Sequence, residues 1–222
     1  MILDEAHCTP ARTLSEGIAK LKSHCRLGLT ATLVREDAKI NNLNYLIGPK
    51  LYEANWSDLV GRGFLANVRC IEVQCKMTAA FMREYLREHT VQEGQLLSAL
   101  NPTKINCCEY LVRLHEMRGD KIIVFTDYNK TIDVYHKILD RPFISGATKQ
   151  AERLRLLDAF RTGSALNTLI VSRVGDTSID LPDANVIIQL SSHFGSRRQE
   201  AQRLGRILRK KSAQGSSTEV NA

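Results

Sequence analysis

Several things are missing from this 222-residue sequence, and each absence narrows its class. No apolar run approaches the ~20 residues of a membrane-spanning helix, and the first residues carry no secretory leader pattern. The six cysteines, at 8, 25, 70, 75, 107 and 108, include no C-x-x-C pair. Cys107 and Cys108 point in different directions on a helix, and Cys70 and Cys75 fall on opposite faces of a strand. Zinc and a disulfide framework are therefore not expected, and reduced, mostly buried thiols in an intracellular protein are. No Gly-Lys dipeptide occurs, so the G-x-x-x-x-G-K-[ST] phosphate loop is absent, and with it the main cradle for a triphosphate. No internal repeat is visible. Aromatics are only 6% of the chain, but 43% of it is hydrophobic, enough for one large domain or two small ones.

Strong charge is missing too, except in one place. The net charge is +7. Residues 197–211 hold seven basic residues (Arg197, Arg198, Arg203, Arg206, Arg209, Lys210 and Lys211) against Glu200 alone, a net of +6, which leaves +1 for the rest. A local excess of this kind points to an anion site or to nucleic-acid contact. From Arg197 the stretch reads as a helix, with Ser196 as N-cap and Glu200 near the reciprocal capping position. Gln202, Arg206 and Arg209 share one face, and Ala201, Leu204 and Leu208 share the opposite one. Two guanidinium groups and an amide held over a packed back suit recognition of a polyphosphate; the alternative is a solvated basic helix.

At the other end, Met1-Ile2-Leu3-Asp4-Glu5 is an apolar run closing on paired carboxylates. A parallel strand delivers acids to the C-terminal edge of a sheet in this way, and ligands bind at that edge in open α/β folds. In a nucleotide hydrolase Asp4 would hold Mg²⁺ through its water shell, and Glu5 would orient or deprotonate the attacking water. A bare acidic pair on a surface is the plain alternative. Residues 11–23 suit a helix with Leu14, Ile18 and Leu21 on one stripe, followed by a strand over 26–30. Residues 49–66 read as a hinge, and alternation suggests a strand over Val68–Val73. Between 77 and 100, Met77, Phe81, Tyr85 and Leu86 lie on one helix face until Gly94 breaks the pattern.

Strand and helix then alternate. Residues 104–118 form a helix with Ile105, Cys108, Leu111, Leu114 and His115 at core spacing, His115 being a packed or rim residue. Strands are expected over 121–125, 142–144, 167–172 and 186–190, with helices over 132–139 and 149–160. That pitch gives a parallel, doubly wound sheet. Its polar loops, Gly175 and Ser178 after one strand and Ser191-Ser192-His193 after another, share one sheet edge.

Three of these stretches resemble superfamily 2 helicases. Asp4-Glu5-Ala6-His7 is similar to the DEAH box, Gly28-Leu29-Thr30-Ala31-Thr32-Leu33 to the threonine motif, and Gln202-Arg203-Leu204-Gly205-Arg206-Ile207-Leu208-Arg209 to the Q-R-x-G-R-x-x-R motif. Further segments narrow the resemblance to the XPB-like family of DNA helicases and translocases, the helicase subunit of TFIIH. These are Arg35-Glu36-Asp37, Leu46 to Trp56, Val174-Gly175-Asp176-Thr177-Ser178-Ile179-Asp180-Leu181-Pro182, and Ser196 to Arg203. The resemblance runs from residue 1 to about 211.

It implies an α/β fold of two RecA-like lobes with a parallel doubly wound sheet, the second nearly complete and the first truncated. The implied domains are 1–55, the C-terminal remnant of the first lobe; 56–76, the inter-lobe linker and first strand; 77–103, a thumb-like insertion that grips DNA, or a hairpin that merely packs; 104–211, the second lobe; and 212–222, a disordered tail. The family hydrolyses ATP with Mg²⁺ to drive 3′-to-5′ DNA unwinding in transcription initiation and nucleotide excision repair, in the nucleus, with other TFIIH-like subunits as partners and no membrane.

Carried onto this chain, the resemblance makes Asp4 and Glu5 catalytic, with Asp4 on the metal, and Arg206 and Arg209 arginine fingers assisted by Gln202. His7, Thr30, Thr32, Gly175 and Asp180 would bind ATP or couple its state to DNA. Arg35, Glu36 and Asp37 would be DNA-related; their plain reading is a charged turn, and that of Asp180 is a cap before Pro182. Two departures stand out: the phosphate loop is absent, and Phe194 occupies a position where the family usually has Gly. Without that loop the chain reads as a fragment, with an alternative as a non-enzymatic lobe that binds DNA or repair-factor partners.

Overall fold

The computed structural model describes residues 1–6, 12–30, 40–87, 90–163, 166–172 and 184–191. The chain divides into two units, Met1–Leu59 and Val60–Ala222.

In the first unit, β1 (Ile2–Leu3) pairs in parallel with β2 (Leu27–Gly28), Ile2 opposite Leu27 and Leu3 opposite Gly28. Parallel neighbours need a crossover, and α1 (Arg12–Lys20) lies within it. The unit continues with α2 (Ile40–Leu46). Arg26 ties the helix ends together: its guanidinium donates to the carbonyls of Leu46 (3.0 Å), Ile18 (3.4 Å) and Leu21 (3.4 Å). Ile18 and Leu46 lie in the last turns of α1 and α2 and Leu21 just past α1, where carbonyls carry the negative end of the helix dipole; that of Ile18 also accepts from the Leu21 N–H (3.2 Å). Ile18 is buried as the stripe predicts, but Leu21 falls past the end of α1 and is exposed. The strand expected over 26–30 is paired as a ladder only at Leu27 and Gly28. A short helix, α3 (Trp56–Gly61), occupies the segment read as a hinge.

The second unit departs from expectation before its sheet begins. Val68–Val73 is not a strand: within it only Arg69 makes a single bridge. Val68 is packed, partly buried, against the core, but Ile71 and Val73 are both exposed, so the alternation does not carry along the segment. Gly94 does not break the helical pattern either. The break falls earlier, between α4 (Ala79–Tyr85) and α5 (Val91–Ala99), and α5 runs through Gly94. Thr90 explains the restart. Its hydroxyl accepts from the Glu93 N–H while the Glu93 carboxylate accepts from the Thr90 N–H, a reciprocal cap.

Asn101 then caps α6 (Pro102–Met117), with proline at the first helical position. Its buried stripe is Cys108, Val112 and His115, whereas Leu111 and Leu114 are half-buried. The remaining elements alternate: β3 (Ile122–Phe125), α7 (Asn129–Leu139), β4 (Phe143–Ile144), α8 (Gln150–Thr162), β5 (Thr168–Val171) and β6 (Val186–Gln189). The four strands form one sheet in the order β4-β5-β3-β6, all parallel.

Every residue of β3 and β5 is buried, as expected of central parallel strands covered on both faces. Alternate side chains feed opposite layers. Ile123 and Phe125 join Leu157 and Phe160 of α8, while Ile122 and Val124 join Cys108 and Val112 of α6 and Tyr135 of α7. The fold is therefore α/β, doubly wound. The thiols differ from expectation: of the five described, only Cys108 is buried, while Cys25 and Cys70 are exposed and Cys75 and Cys107 half-buried.

Candidate functional site

In the first unit the parallel pairing continues just past the strands. The Leu29 N–H donates to the Leu3 carbonyl (2.8 Å), and the Ala6 N–H donates to the Leu29 carbonyl (2.9 Å). These bonds hold Asp4 and Glu5 alongside Leu29 and Thr30 at the C-terminal edge of the pair. Close approach there depends on Gly28, where a Cβ would lie 2.9 Å from the Ala6 Cβ and 3.0 Å from the Ile47 Cδ1. Glu5 has φ = 50°, a left-handed conformation that costs a non-glycine residue roughly 1–2 kcal/mol. The turn is supported locally, because the Glu5 N–H donates to Asp4 Oδ1 at 2.8 Å. Asp4 is exposed and Glu5 half-buried.

An exposed carboxylate with one oxygen engaged in its own turn suits outer-sphere contact with a hydrated Mg²⁺. A neighbouring half-buried carboxylate suits the orientation of a water molecule. Of the predicted site residues, Asp4, Glu5 and Thr30 are thus brought together. His7, Thr32, Arg35, Glu36, Asp37, Gly175, Asp180, Gln202, Arg206 and Arg209 lie outside the described residues.

The corresponding edge of the second unit carries polar residues that the motifs do not single out. Where β3 ends, the Asp127 carboxylate accepts from Ser191 Oγ (2.6 Å), and the Asp127 N–H donates to the same hydroxyl oxygen (3.2 Å). The Thr126 and Thr131 hydroxyls bond each other at the start of α7, and the Tyr128 hydroxyl donates to Gln95 of α5. Lys104 of α6 donates to the Leu190 carbonyl at 3.1 Å, fixing the chain where it leaves β6. Burial pushes the pKa of that ammonium down. After β4, Ser145 and Thr148 close a turn (Ser145 N–H to Thr148 Oγ1, 2.9 Å), and Arg153 donates to both their carbonyls. The signal for these positions was a polar residue directly following a fully apolar strand, as in Ile-Ile-Val-Phe-Thr-Asp.

The opposite edge is structural. Arg141 grips Glu116 through two nitrogens (2.7 and 2.9 Å), and Thr168 Oγ1 donates to the same carboxylate (2.6 Å). The hydrogen bond from Arg141 is the main cause of a lowered Glu116 pKa. His115 pairs with Asp120 at 2.8 Å, both buried, far in sequence from any motif. Among the described residues no cluster of three or more His, Cys, Asp or Glu side chains could hold a metal ion. No helix there is long and apolar enough to cross a membrane.

An all-parallel sheet between helical layers, with a separate parallel pair presenting adjacent acids at its C-terminal edge, defines the α/β RecA-like fold of helicases. Solved structures share it. Dbp5 of S. cerevisiae, bound to RNA and ADP BeF3, is 18% identical with a TM-score of 0.59 over 92% of this chain and 49% of its own. The Pyrococcus furiosus Hef helicase domain is 17% identical with a TM-score of 0.54 over 92% and 67%.

Residues 59–222 match the family described as ERCC3/RAD25/XPB C-terminal helicase, and the chain belongs to it. Among curated relatives, the general transcription and DNA repair factor IIH helicase/translocase subunit XPB of Encephalitozoon cuniculi is 58% identical over 95% of this chain. XPB2 of Arabidopsis thaliana is also 58% identical over 95%, and XPB/SSL2 of Saccharomyces cerevisiae is 56% identical over the same share. The chain spans 31%, 28% and 25% of the lengths of these relatives.

Proposed function

We propose that this chain supplies the DEAH-box segment and the C-terminal helicase lobe of an ATP-driven DNA translocase of the TFIIH type, acting in transcription initiation and excision repair in the nucleus. The observation that carries this reading is the pairing of β1 with β2, which sets Asp4 and Glu5 beside Thr30 at one edge. ATP, when bound, supplies the phosphoryl group whose transfer to water drives movement. Asp4 would hold a hydrated Mg²⁺, which would supply charge neutralisation at the phosphates, and Glu5 orients the attacking water and takes its proton. Arg206 and Arg209, assisted by Gln202, stabilise charge on the transferred phosphoryl. His7, Thr30, Thr32, Gly175 and Asp180 link that site to the DNA backbone, with Arg35, Glu36 and Asp37 on the DNA side. DNA contact is to phosphates rather than bases, and other TFIIH-like subunits are the protein partners.

The 222 residues contain no phosphate loop, which favours a second reading for this polypeptide by itself: a module that binds DNA or repair factors without hydrolysing ATP. One experiment separates the two. The polypeptide alone is expected to show no DNA-stimulated ATP hydrolysis. A chimaera joining it to the preceding part of the Encephalitozoon cuniculi relative is expected to show it. In the chimaera, Glu5→Gln should abolish turnover, and Arg206→Ala should lower it by about 10³–10⁵. Turnover indifferent to both substitutions would overturn the assigned roles, and an inactive but folded, DNA-binding chimaera would leave the binding-module reading.

A further inference from the structure

We propose that α4 and α5 form a hinged arm, pivoting at Asn101 and latched beside the sheet by a bond between Tyr128 and Gln95. Both ends of the arm meet at one buried side chain. Asn101, only 1% exposed, follows α5 and caps α6 by accepting from the Thr103 N–H (3.2 Å). Its Nδ2 donates to the carbonyls of Cys75 (3.1 Å) and Lys76 (3.3 Å), where the chain runs into α4. Entry and exit are thus clamped together, and α4 and α5 are an excursion from that point.

Beyond the clamp, burial contributes little to holding the arm. Among the described residues α4 buries none, and α5 buries Ala99 alone, at its base. The two helices rest on each other at Gly94, where a Cβ would lie 3.6 Å from Cε2 of Tyr85. A segment with so little buried apolar surface belongs to the low-stability end of a fold, where local opening precedes global unfolding.

The arm is gripped from α7, whose Thr131, Ile132, Tyr135 and Leu139 are buried in the core. Two of its tyrosine hydroxyls reach two points of α5 that lie on one helix face. Tyr135 donates to the Ala99 carbonyl (2.9 Å), next to the pivot, and Tyr128 donates to Gln95 Oε1. At 1.5 Å per residue the second contact lies about 6 Å further out along α5, so it governs the angle of the arm. Tyr128 is itself fixed by the turn after β3. Its carbonyl accepts from the Thr131 hydroxyl (2.6 Å) and from the Thr131 and Ile132 N–H groups (3.1 and 3.2 Å). Its neighbour Asp127 is bonded to Ser191 at the exit of β6. Ligands bind at this edge in open α/β folds, so the orientation of the arm is set from the ligand edge. The latch is independent of the catalytic roles proposed above.

The test is amide hydrogen exchange of the intact, ligand-free chain, resolved by peptide, in Tyr128→Phe, Gln95→Met and the double variant. Each substitution removes one side of the latch and keeps the bulk of the side chain. Loss of a neutral hydrogen bond shifts an opening equilibrium by about two- to tenfold. Exchange of the α4 and α5 amides is expected to rise by that factor in either single variant. The double variant should rise no further, because both substitutions break the same bond. Amides of α6 and β3 should exchange as in the unsubstituted chain. Unchanged exchange in α4 and α5, a rise shared equally by α6 and β3, or additive effects in the double variant would overturn the latch.

Discussion

Gly28 shows how much one missing methyl group decides in the first unit. The Cβ it lacks would meet a side chain with no freedom to move, the Ala6 methyl, at 2.9 Å, and Ile47 on the other side. Overpacking of that kind typically costs about 1–3 kcal/mol. Gly28→Ala is therefore expected to lower stability by this amount in urea unfolding followed by the fluorescence of Trp56, the chain's one tryptophan. An unchanged midpoint would show that β1 and β2 yield without cost. Glu5 presents the reverse case. Its backbone is strained at the position to which the proposed function assigns its carboxylate, and strain of this kind is retained where a side chain must be held in place.

Among the elements, the pin between α6 and the start of β5 is electrostatic. Glu116 is held by Arg141 on one side and Thr168 on the other. Its carboxyl is held below the ordinary glutamate range in the folded protein, chiefly by the hydrogen bond from Arg141. A depressed carboxylate pKa stabilises the fold above the unfolded value, and the contribution disappears as pH falls through the folded one. The contribution of this pin should thus begin to fade as pH falls through the ordinary glutamate range and be lost below it, and Glu116→Gln should flatten that acid limb while lowering stability at pH 7. Equal acid sensitivity in the two proteins would show that the pin does not contribute.

The elements most legible in the sequence were those whose pattern matches their surroundings. Ile122 to Phe125 and Thr168 to Val171 read as buried strands because both of their faces are covered. Val68 to Val73 misled because Val68 packs against the core while Ile71 and Val73, which complete the alternation, stay exposed. Gly94 misled because a glycine weakens a helix without ending it, whereas Thr90 and Glu93 actively restart one. At the candidate site, Asp4 and Glu5 were legible from the motif, but the Asp127–Ser191 contact joins residues 64 apart in sequence, and no local pattern carries it.

The two units of the whole molecule differ in how much they bury. Among the described residues the first unit buries Ala6, Ile18 and Leu43, while Ile2, Leu27 and Leu29 stay 69%, 44% and 49% exposed. At about 25 cal/mol per Å² of apolar surface left in water, a few hundred Å² amounts to several kcal/mol, comparable with the margin of a typical domain. Limited trypsin digestion of the isolated chain is accordingly expected to cut at Lys20, Lys22 and Arg26 well before it cuts within 104–163. Simultaneous cleavage in both regions would contradict this.

The strand order in the second unit also has a kinetic side. β3 is flanked by β5 and β6, whose pairing partners begin 46 and 64 residues further along the chain. Neither contact forms by local search, so each must wait for a long loop to close before any burial rewards it. On a ribosome adding roughly 5–20 residues per second, Ile122 to Phe125 would emerge seconds before either neighbour exists. A fully apolar, unpaired strand is the species most prone to pair with the wrong chain. In the cell this unit would depend on α6 and α7, whose local hydrogen bonds need no distant partner, to shield β3 until Thr168 and Val186 arrive.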